Sequence, residues 1–270
     1  MQKKPRKLHG GDIYRHPDVI DFSVNTNPLG TPESVKRAVQ ESVAKIEHYP
    51  DVRCEALRKA ISRFEQVNME EILCGNGAAE LFFAAVQAVC PQKALVIAPS
   101  FSEYEEALRS VGAEAEYYYL CEEDNFQIRE DYVDKLSEEI DMIFLCNPNN
   151  PTGQTIDRDM LIKILDCCKK QNIVVILDEC FLEFLDEPNR YEMSNLRGEY
   201  PNLLIIKAFT KIFSMPGLRL GYAISSNPDI LEEMSWKLQQ WNVSVPAQMA
   251  GVAALENSKE YIRASNMHKR

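Results

Sequence analysis

The sequence contains no Cys-x-x-Cys motif, although eight of its 270 residues are cysteine. Most of them are scattered, and Cys167 and Cys168 are adjacent in a predicted helix. Zinc sites and redox motifs need closely spaced pairs, so this spacing predicts neither of them. Disulfide frameworks are typical of small secreted domains, and we therefore interpret the cysteines as reduced, mostly buried thiols without a metal.

Long apolar runs are also missing. The longest, residues 173–177 and 203–206, are far shorter than the roughly 20 residues that a membrane-spanning helix needs. Residues 1–7 are basic, but no apolar stretch follows them, so we expect no signal peptide. Positive charge is scarce, because 30 Lys and Arg face 41 Asp and Glu and the formal net charge is −11. This balance argues against nucleic-acid or membrane partners and predicts a soluble, cytoplasmic protein.

The chain does contain short apolar runs that alternate with helical patterns. The runs are residues 72–74, 94–98, 142–146, 173–177, 203–206 and 220–224, and the helical patterns are residues 33–45, 54–64, 78–90, 102–112, 157–171, 229–240, 247–256 and 260–270. This alternation predicts an α/β fold with a buried, mainly parallel sheet sandwiched by helices. Ligands of such sheets bind at the carboxyl ends of the strands, so we expect the functional residues in the loops that follow the runs.

Two of these loops are rich in turn-forming residues. Residues 74–80 (Cys-Gly-Asn-Gly-Ala-Ala-Glu) open a predicted helix, where exposed backbone N–H groups bind phosphate. Residues 147–153 (Asn-Pro-Asn-Asn-Pro-Thr-Gly) place side-chain amides in a rigid turn that suits a polar ring substituent. Taken singly, the first loop also fits an ordinary glycine turn, and the second also fits an Asx turn.

Two other loops carry charged residues beside apolar strands. Asp178 directly follows the run 173–177, and an acid at that depth must be paired or must cap the next helix. Lys211 follows the run 203–206, between Thr210 and Arg219. A lysine is usually a solvated surface charge. Burial among the apolar residues here would instead lower the pKa of Lys211 and make it a nucleophile.

Pyridoxal phosphate is one cofactor that would use all four loops. It needs a lysine for covalent attachment, an acid at its pyridine nitrogen, a donor to its phenolic oxygen and an anion-binding loop. An aromatic side chain against the ring is also favourable, and Tyr104 is in a suitable loop to supply it.

These motifs resemble the aspartate-aminotransferase-like (fold type I) enzymes of aminotransferase class I and II. Within that family the chain is similar to the histidinol-phosphate aminotransferase subgroup, and there to the enzymes that decarboxylate threonine phosphate in cobalamin biosynthesis. The second likeness depends on residues 9–11 (His-Gly-Gly), on Phe181, where the aminotransferases generally have tyrosine, and on Thr210, where they generally have serine. The resemblance covers the chain from about His9 onward.

The resemblance implies a role for each motif. Three residues would be catalytic. Lys211 would bind the cofactor covalently, Asp178 would keep the pyridine nitrogen protonated, and Tyr104 would stack on the ring. Asn150 would donate a hydrogen bond to ring oxygen O3′. The cofactor phosphate would be held by Gly77, Ala78, Thr210 and Arg219, and Tyr49 would contact the cofactor phosphate of a partner subunit. The substrate phosphate would be contacted by His9 and Asn25. The role of Tyr49 implies a homodimer.

The resemblance also implies an incomplete small domain. Residues 1–48 would form an N-terminal arm and part of the small domain, residues 49–250 the large cofactor-binding domain, and residues 251–270 the start of the C-terminal small domain. The family has a longer chain, whose additional part carries the arginines that hold the substrate carboxylate. We therefore expect this chain to be truncated.

The expected function is decarboxylation of a phosphorylated amino acid, threonine phosphate in the first place. The alternative is transamination of histidinol phosphate or a related amino acid, because substrate orientation, and not the cofactor, decides which bond breaks. A third hypothesis is a cofactor-binding remnant without turnover.

Overall fold

Seven strands form one sheet in the computed structural model, which describes residues 10–256 and 258–267. The strands are β1 (Ile72–Gly75), β2 (Lys93–Ala98), β3 (Glu114–Tyr119), β4 (Met142–Cys146), β5 (Val174–Asp178), β6 (Leu203–Ala208) and β7 (Gly221–Ile224). Their order across the sheet is β1-β7-β6-β5-β4-β2-β3. Strand β7 runs antiparallel to both of its neighbours, and the other pairings are parallel. The prediction of a mainly parallel sheet is confirmed.

Helices cover both faces of the sheet. They are α1 (Glu33–Ser42), α2 (Glu55–Glu65), α3 (Ala78–Val89), α4 (Glu103–Ser110), α5 (Arg158–Gln171), α6 (Phe209–Ile212), α7 (Pro228–Lys237), α8 (Val245–Glu256) and α9 (Ser258–Met267). Side-chain caps define several ends: Asp157 accepts a hydrogen bond from the Asp159 N–H at the start of α5, and Asn227 accepts one from the Asp229 N–H at the start of α7. The short helix α6 was not predicted.

The sheet divides the buried side chains into two cores. Helices α2, α5 and α8 pack on one face, and α3, α4 and α7 pack on the other. Every residue of β4 and of β6 is buried. The continuous apolar runs in the sequence therefore reflect strands that are covered on both faces.

Strand β3 was missed by the sequence analysis. It lies at the edge of the sheet and pairs only with β2. In its sequence, Glu-Ala-Glu-Tyr-Tyr-Tyr, the first and last residues are exposed, Tyr118 is buried, and the others are partly buried. A search for continuous apolar runs finds central strands, whereas an edge strand that is half solvated retains polar residues.

The strand directions bring several loops to one edge of the sheet. Strands β4, β5 and β6 are parallel, and Cys146 and Ile206 both lie beside Asp178 in register. Strand β1 is antiparallel to β7, which is antiparallel to β6, so β1 points the same way as β6. The loops after all four strands therefore meet at the same edge.

The expected domain boundary after residue 250 falls inside α8. This helix is part of the core beneath the sheet, where Gly251 contacts Leu57 and Leu220 closely enough that a Cβ atom would lie 2.6 Å from each. Helix α1 contacts α8 as well, since Ser34 donates a hydrogen bond to the Ala253 carbonyl at 3.3 Å. The division into two domains stays a prediction. Among the described residues, no helix is both long and apolar enough to cross a membrane.

A buried cluster of charges lies on the α2 side of the sheet. The Lys207 Nζ atom is 3.0 Å from Glu65 Oε1 and 2.9 Å from Glu183 Oε1, and Tyr222 donates its hydroxyl to Glu65. Glu179 is completely buried next to this group. Its Oε1 accepts the Met193 N–H at 3.2 Å, whereas its Oε2 has no hydrogen-bond partner in the part of the chain that the structure describes.

Burial raises the pKa of Glu179 to about 8, and Lys207 only partly opposes this effect, while Glu192 and Glu65 add to it. The unfolded chain has the ordinary pKa of 4.5 at this position. Between these two values the folded state binds more protons than the unfolded state, so protonation of Glu179 stabilises the fold most at low pH. This contribution is lost as the pH rises toward 8.

We predict that Glu179→Gln reduces the loss of stability between pH 5 and pH 8. Glutamine has nearly the same shape as the neutral acid, but its side chain does not titrate in this range. The measurement is the free energy of unfolding in urea at several pH values within this window. Glu187→Gln, at an exposed position, is the matched control and should leave the slope unchanged. An unaltered slope in Glu179→Gln would contradict the assignment.

Candidate active site

A cavity of about 160 Å³ lies at the edge where the four strand-end loops meet. Six of the residues that were expected to bind the cofactor line it: Ala78, Asn150, Asp178, Thr210, Lys211 and Arg219. The rest of the lining comes from Ala79, Phe82, Phe101, Cys146, Cys180, Phe181 and Ala208. The structure therefore brings together residues from all four of the loops that the sequence singled out.

Lys211 lies in α6, directly after β6. Its side chain is half-buried, and burial lowers the pKa of Lys211, an effect that Arg219 adds to and that Cys180 and Asp178 oppose. The Nζ atom is 5.5 Å from the centroid of the Phe181 ring. A larger fraction of this amine is consequently neutral, and nucleophilic, than in an exposed lysine.

The N-terminal segment fixes the backbone that carries Lys211. The Asn27 N–H donates to the Lys211 carbonyl at 3.0 Å, and Asn27 Nδ2 donates to the Ile212 carbonyl at 2.9 Å. Thr31 donates its hydroxyl to the Ser214 carbonyl at 2.5 Å. Asn27 is buried, so these bonds are shielded from water and hold the loop after β6 in one position.

Asp178 ends β5 and is 5% exposed. Its Oδ1 accepts the Cys180 N–H at 2.9 Å, and its Oδ2 accepts the Tyr104 hydroxyl at 2.6 Å. Burial raises the pKa of Asp178, whereas the hydrogen bonds from Cys180 and Tyr104 and the charge of Lys211 lower it. The carboxyl group is thus held in place, with a cation nearby to favour its ionised form.

The expected stacking role of Tyr104 needs correction. Its ring stacks on Phe144, with 4.8 Å between the centroids and an angle of 18° between the planes, and it is not part of the cavity lining. Phe101, from the same loop, lines the cavity instead. The hydroxyl of Tyr104 needs a buried acceptor and finds it in Asp178. Tyr104 is therefore a residue that positions Asp178.

One end of the cavity is suited to an anion. Helix α3 begins there, and its N-cap residue Gly77 (φ 88°) provides no side chain to cap the free N–H groups. A Cβ atom on Gly77 would lie 2.5 Å from Nη2 of Arg219, so glycine leaves room for the guanidinium. A cation next to the positive end of a helix is unfavourable unless an anion binds between them.

The two neighbouring asparagines of the 147–153 loop have different environments. Asn149 Nδ2 donates to the Pro99 carbonyl at 3.1 Å and to the Thr152 hydroxyl at 2.8 Å, which makes Asn149 a structural residue. Asn150 instead lines the cavity. Asn150 therefore shares a cavity with Lys211 and Asp178, and its contact with a ring oxygen stays a prediction.

A second cavity of about 560 Å³ adjoins the first, and Asn150 and Phe181 line both of them. Asn25 lies on this second cavity, together with the apolar side chains of Phe184 and Leu185. The expected substrate residue Asn25 is therefore next to the cavity that contains Lys211. The other one, His9, lies outside the described residues.

Tyr49 is not part of either cavity. Its side chain is 78% exposed and stacks on Trp241, with 4.5 Å between the ring centroids. Within this one chain the structure does not bring Tyr49 to Lys211.

Three lining residues, Phe101, Cys146 and Cys180, were not predicted from the sequence. Phe101 lies three residues before Tyr104 in the same loop, and either aromatic ring could have been chosen from the sequence. Cys146 directly precedes Asn147, and Cys180 lies two residues after Asp178. Both therefore lie at strand ends, and this position was a signal that could have identified them.

Comparisons with known proteins give a consistent result. The model of the aminotransferase class I and II family matches residues 17–270. Threonine-phosphate decarboxylase from Salmonella typhimurium is 38% identical over 258 residues, which cover 93% of this chain and 70% of the relative.

The similarity extends to solved structures. The histidinol-phosphate aminotransferase from Clostridium acetobutylicum superposes with a TM-score of 0.85 at 32% identity, covering 92% of this chain and 73% of that one. Aspartate aminotransferase from Thermus thermophilus superposes with a TM-score of 0.81 at 23% identity, covering 96% and 70% of the two chains. The predicted aspartate-aminotransferase-like fold is confirmed, and the chain belongs to the aminotransferase class I and II family of enzymes.

Proposed function

We propose that this enzyme binds pyridoxal phosphate in the 160 Å³ cavity and decarboxylates a phosphorylated amino acid of the threonine-phosphate type. The observation that carries the proposal is the convergence of Lys211, Asp178, Arg219 and the start of α3 on one cavity. These groups supply an amine, an acid and an anion site, which are the three kinds of partner that this cofactor needs.

The residues present fit the cofactor at each of its ends. The uncapped N-terminus of α3, Thr210 and Arg219 would hold its phosphate, and Asp178 would bind its ring nitrogen. Lys211 would attach it covalently, and Asn150 would donate to its ring oxygen. When bound, the cofactor supplies an electron sink for the negative charge that develops at the substrate Cα atom.

The chain's own residues set up this chemistry in several ways. Tyr104 orients the Asp178 carboxyl, and burial keeps water from competing for that group. Phe101 offers an aromatic face in the cavity, and we assign to it the stacking role that was first expected of Tyr104. Phe181 has no hydroxyl, so we assign the hydrogen bond to the ring oxygen to the side-chain amide of Asn150.

Lys211 is a better candidate for covalent attachment than the nearby Lys207. The Lys207 ammonium is buried and forms two close ion pairs with Glu65 and Glu183, which stabilise its charged form. The acidic neighbours accordingly raise the pKa of Lys207, although burial opposes them. A lysine that holds its proton so firmly is a poor nucleophile.

The decarboxylase activity is favoured by the 38% identity to a relative named threonine-phosphate decarboxylase, and by Phe181 and Thr210. Transamination of histidinol phosphate is the second candidate, because the chain superposes on a histidinol-phosphate aminotransferase. The substrate would occupy the cavity beside Asn25, where its orientation decides which bond at Cα breaks.

Product analysis separates these activities. The purified protein, supplied with pyridoxal phosphate, is incubated with threonine phosphate, or with histidinol phosphate plus 2-oxoglutarate. We expect carbon dioxide and an amino-alcohol phosphate from the first mixture, and no glutamate from the second. Glutamate formation without carbon dioxide would favour the aminotransferase. Bound cofactor without either product would favour the remnant.

We predict that borohydride reduction of the cofactor-loaded protein attaches a pyridoxyl group to Lys211, because its half-buried amine is the more readily deprotonated of the two lysines. Peptide mass spectrometry identifies the modified residue. The Lys211→Ala variant should carry no adduct, whereas Lys163→Met, at an exposed position of α5, should be labelled like the wild type. An adduct on Lys207 would show that the assignment is wrong.

We predict that Gly77→Ala weakens pyridoxal phosphate binding about tenfold or more, since the new Cβ atom displaces the Arg219 guanidinium and one charge-assisted hydrogen bond is lost. Gly112→Ala is the matched control: Gly112 also has a positive φ (77°), but a Cβ atom there meets no atom within 4 Å. The control variant therefore has an alanine at a positive φ without a contact with Arg219, and the two affinities are compared in a fluorescence titration. Equal affinities in the two variants would argue against an anion site at Gly77.

We also infer that the enzyme is a homodimer in which Tyr49 reaches the cofactor phosphate of the partner subunit. In support, Tyr49 is exposed, and several apolar side chains of the N-terminal segment are exposed as well: Ile13, Tyr14, Val19, Ile20 and Phe22. Tyr49→Phe should then raise the cofactor dissociation constant roughly tenfold, by the loss of one hydrogen bond to phosphate. Sedimentation at decreasing concentration provides the second measurement, and a monomer that retains its cofactor would exclude this arrangement.

A further inference from the structure

The short helix α6, which carries Lys211, depends on contacts from outside itself. It has four residues, Phe209–Ile212, and a helix of this length is not stable through its own hydrogen bonds. At its start α6 continues directly from β6, which ends at Ala208. At its other end comes Phe213, which is 3% exposed. The position of the Lys211 amine therefore depends on what packs against Phe213.

Tyr261 of helix α9 packs against that end of α6. Its ring stacks on the ring of Phe213, with 6.0 Å between the centroids and an angle of 26° between the planes. Phe213 in turn contacts Phe209, with 5.6 Å between their ring centroids. Phe209 and Phe213 are each two positions from Lys211 in the chain. A row of three rings thus connects α9 with the helix that carries Lys211.

The hydroxyl of Tyr261 has a partner in the N-terminal segment. It donates a hydrogen bond to the Gly30 carbonyl, and burial raises the pKa of Tyr261, so the hydroxyl stays a donor at neutral pH. The Gly30 N–H donates to the Asn27 carbonyl at 3.1 Å, and the Asn27 N–H donates to the Lys211 carbonyl at 3.0 Å. One side chain therefore reaches Lys211 by two routes, through the rings and through the turn that contains Asn27.

We propose that Tyr261 is a positioning residue for Lys211, which holds α6 and the turn at Asn27 together and so keeps the Lys211 amine half-buried. Tyr261 lines neither the cavity that contains Lys211 nor the one beside it, so it acts through Phe213 and Gly30. That this placement serves the attachment of pyridoxal phosphate rests on the proposed function, whereas the effect on the amine does not.

The environment of the Lys211 amine makes its burial measurable. Burial lowers the pKa of Lys211, and Arg219 adds to this effect, while Cys180 and Asp178 oppose it. When α6 is loosened, water reaches the amine, the effect of burial diminishes, and the pKa rises toward the ordinary value of 10.5. A Tyr261 side chain that only packed α9 against the core would have no influence on this pKa.

The test measures the protonation of Lys211 in the cofactor-free protein, by competitive labelling with acetic anhydride between about pH 7 and pH 11. Mass spectrometry quantifies the labelled peptides, with the exposed Lys237 as the internal standard. The midpoint of Lys211 labelling should move to higher pH in Tyr261→Ala. It should move less in Tyr261→Phe, which keeps the ring contact and loses only the hydrogen bond to Gly30.

Tyr200→Ala is the matched control. Tyr200 is buried, and its hydroxyl also donates a hydrogen bond, to Asp166 at 2.9 Å. It comes before the start of β6, however, and therefore lies at the opposite edge of the sheet from Lys211. Its loss should lower the stability of the fold and leave the Lys211 midpoint at the wild-type value.

A second measurement connects the position of the amine with the proposed function. The rate at which pyridoxal phosphate attaches to Lys211 at pH 8, trapped with borohydride, should be about threefold lower in Tyr261→Ala than in Tyr200→Ala, because a smaller fraction of the amine is neutral. A wild type that takes up no cofactor at Lys211 would contradict the proposed function, and the labelling midpoint would still decide the role of Tyr261.

Two results would overturn the role of Tyr261. The first is an unchanged midpoint in Tyr261→Ala, which is the outcome for a side chain that only packs α9. The second is an equal upward movement in Tyr261→Ala and Tyr200→Ala, because any loss of stability would then loosen α6. If Tyr261→Ala does not fold, Tyr261→Phe decides alone, since its midpoint must lie above that of the wild type.

Discussion

The parallel pairing of β4, β5 and β6 is the constraint on which the site depends. It places Cys146 and Ile206 on either side of Asp178, and so delivers the loops after three strands to one place. The reversal at β7 extends this arrangement, because two antiparallel steps return β1 to the direction of β6. Without that return, the glycine loop and the start of α3 would lie at the opposite edge of the sheet from Lys211.

Lys207 and Lys211 are four positions apart, and their positions relative to the sheet give them different charge environments. Lys207 points to the α2 side of β6, where Glu65 and Glu183 stabilise its charge. Lys211 has left the strand and lies by Arg219, where burial makes the same charge unfavourable. A buried lysine between carboxylates keeps its proton, whereas one beside another cation loses its proton more readily. Because Lys207 lies within strand β6 and Lys211 lies after its end, two lysines only four positions apart have opposite electrostatic environments.

The sequence was sufficient to predict the central strands, most of the helices and six of the cavity residues, because buried strands are continuous apolar runs and their ends are marked by polar loops. It failed where the three-dimensional environment decides between similar side chains. Phe101 and Tyr104 are both aromatic, and only the position of Asp178 shows which one turns inward to donate a hydrogen bond. Strand β3 was missed because half of an edge strand faces water.

The hydrogen bonds from Asn27 and Thr31 to the backbone after β6 have a consequence for the order of folding. During synthesis, the segment that contains Asn27 leaves the ribosome long before Lys211 has been made, and its acceptors do not yet exist. Contacts between such distant parts of the chain form late, because closing a long loop costs entropy before any contact compensates for it. Lys211 therefore reaches its final position only when the segment around Asn27 docks onto the loop after β6, so the geometry of Lys211 depends on a late step of folding.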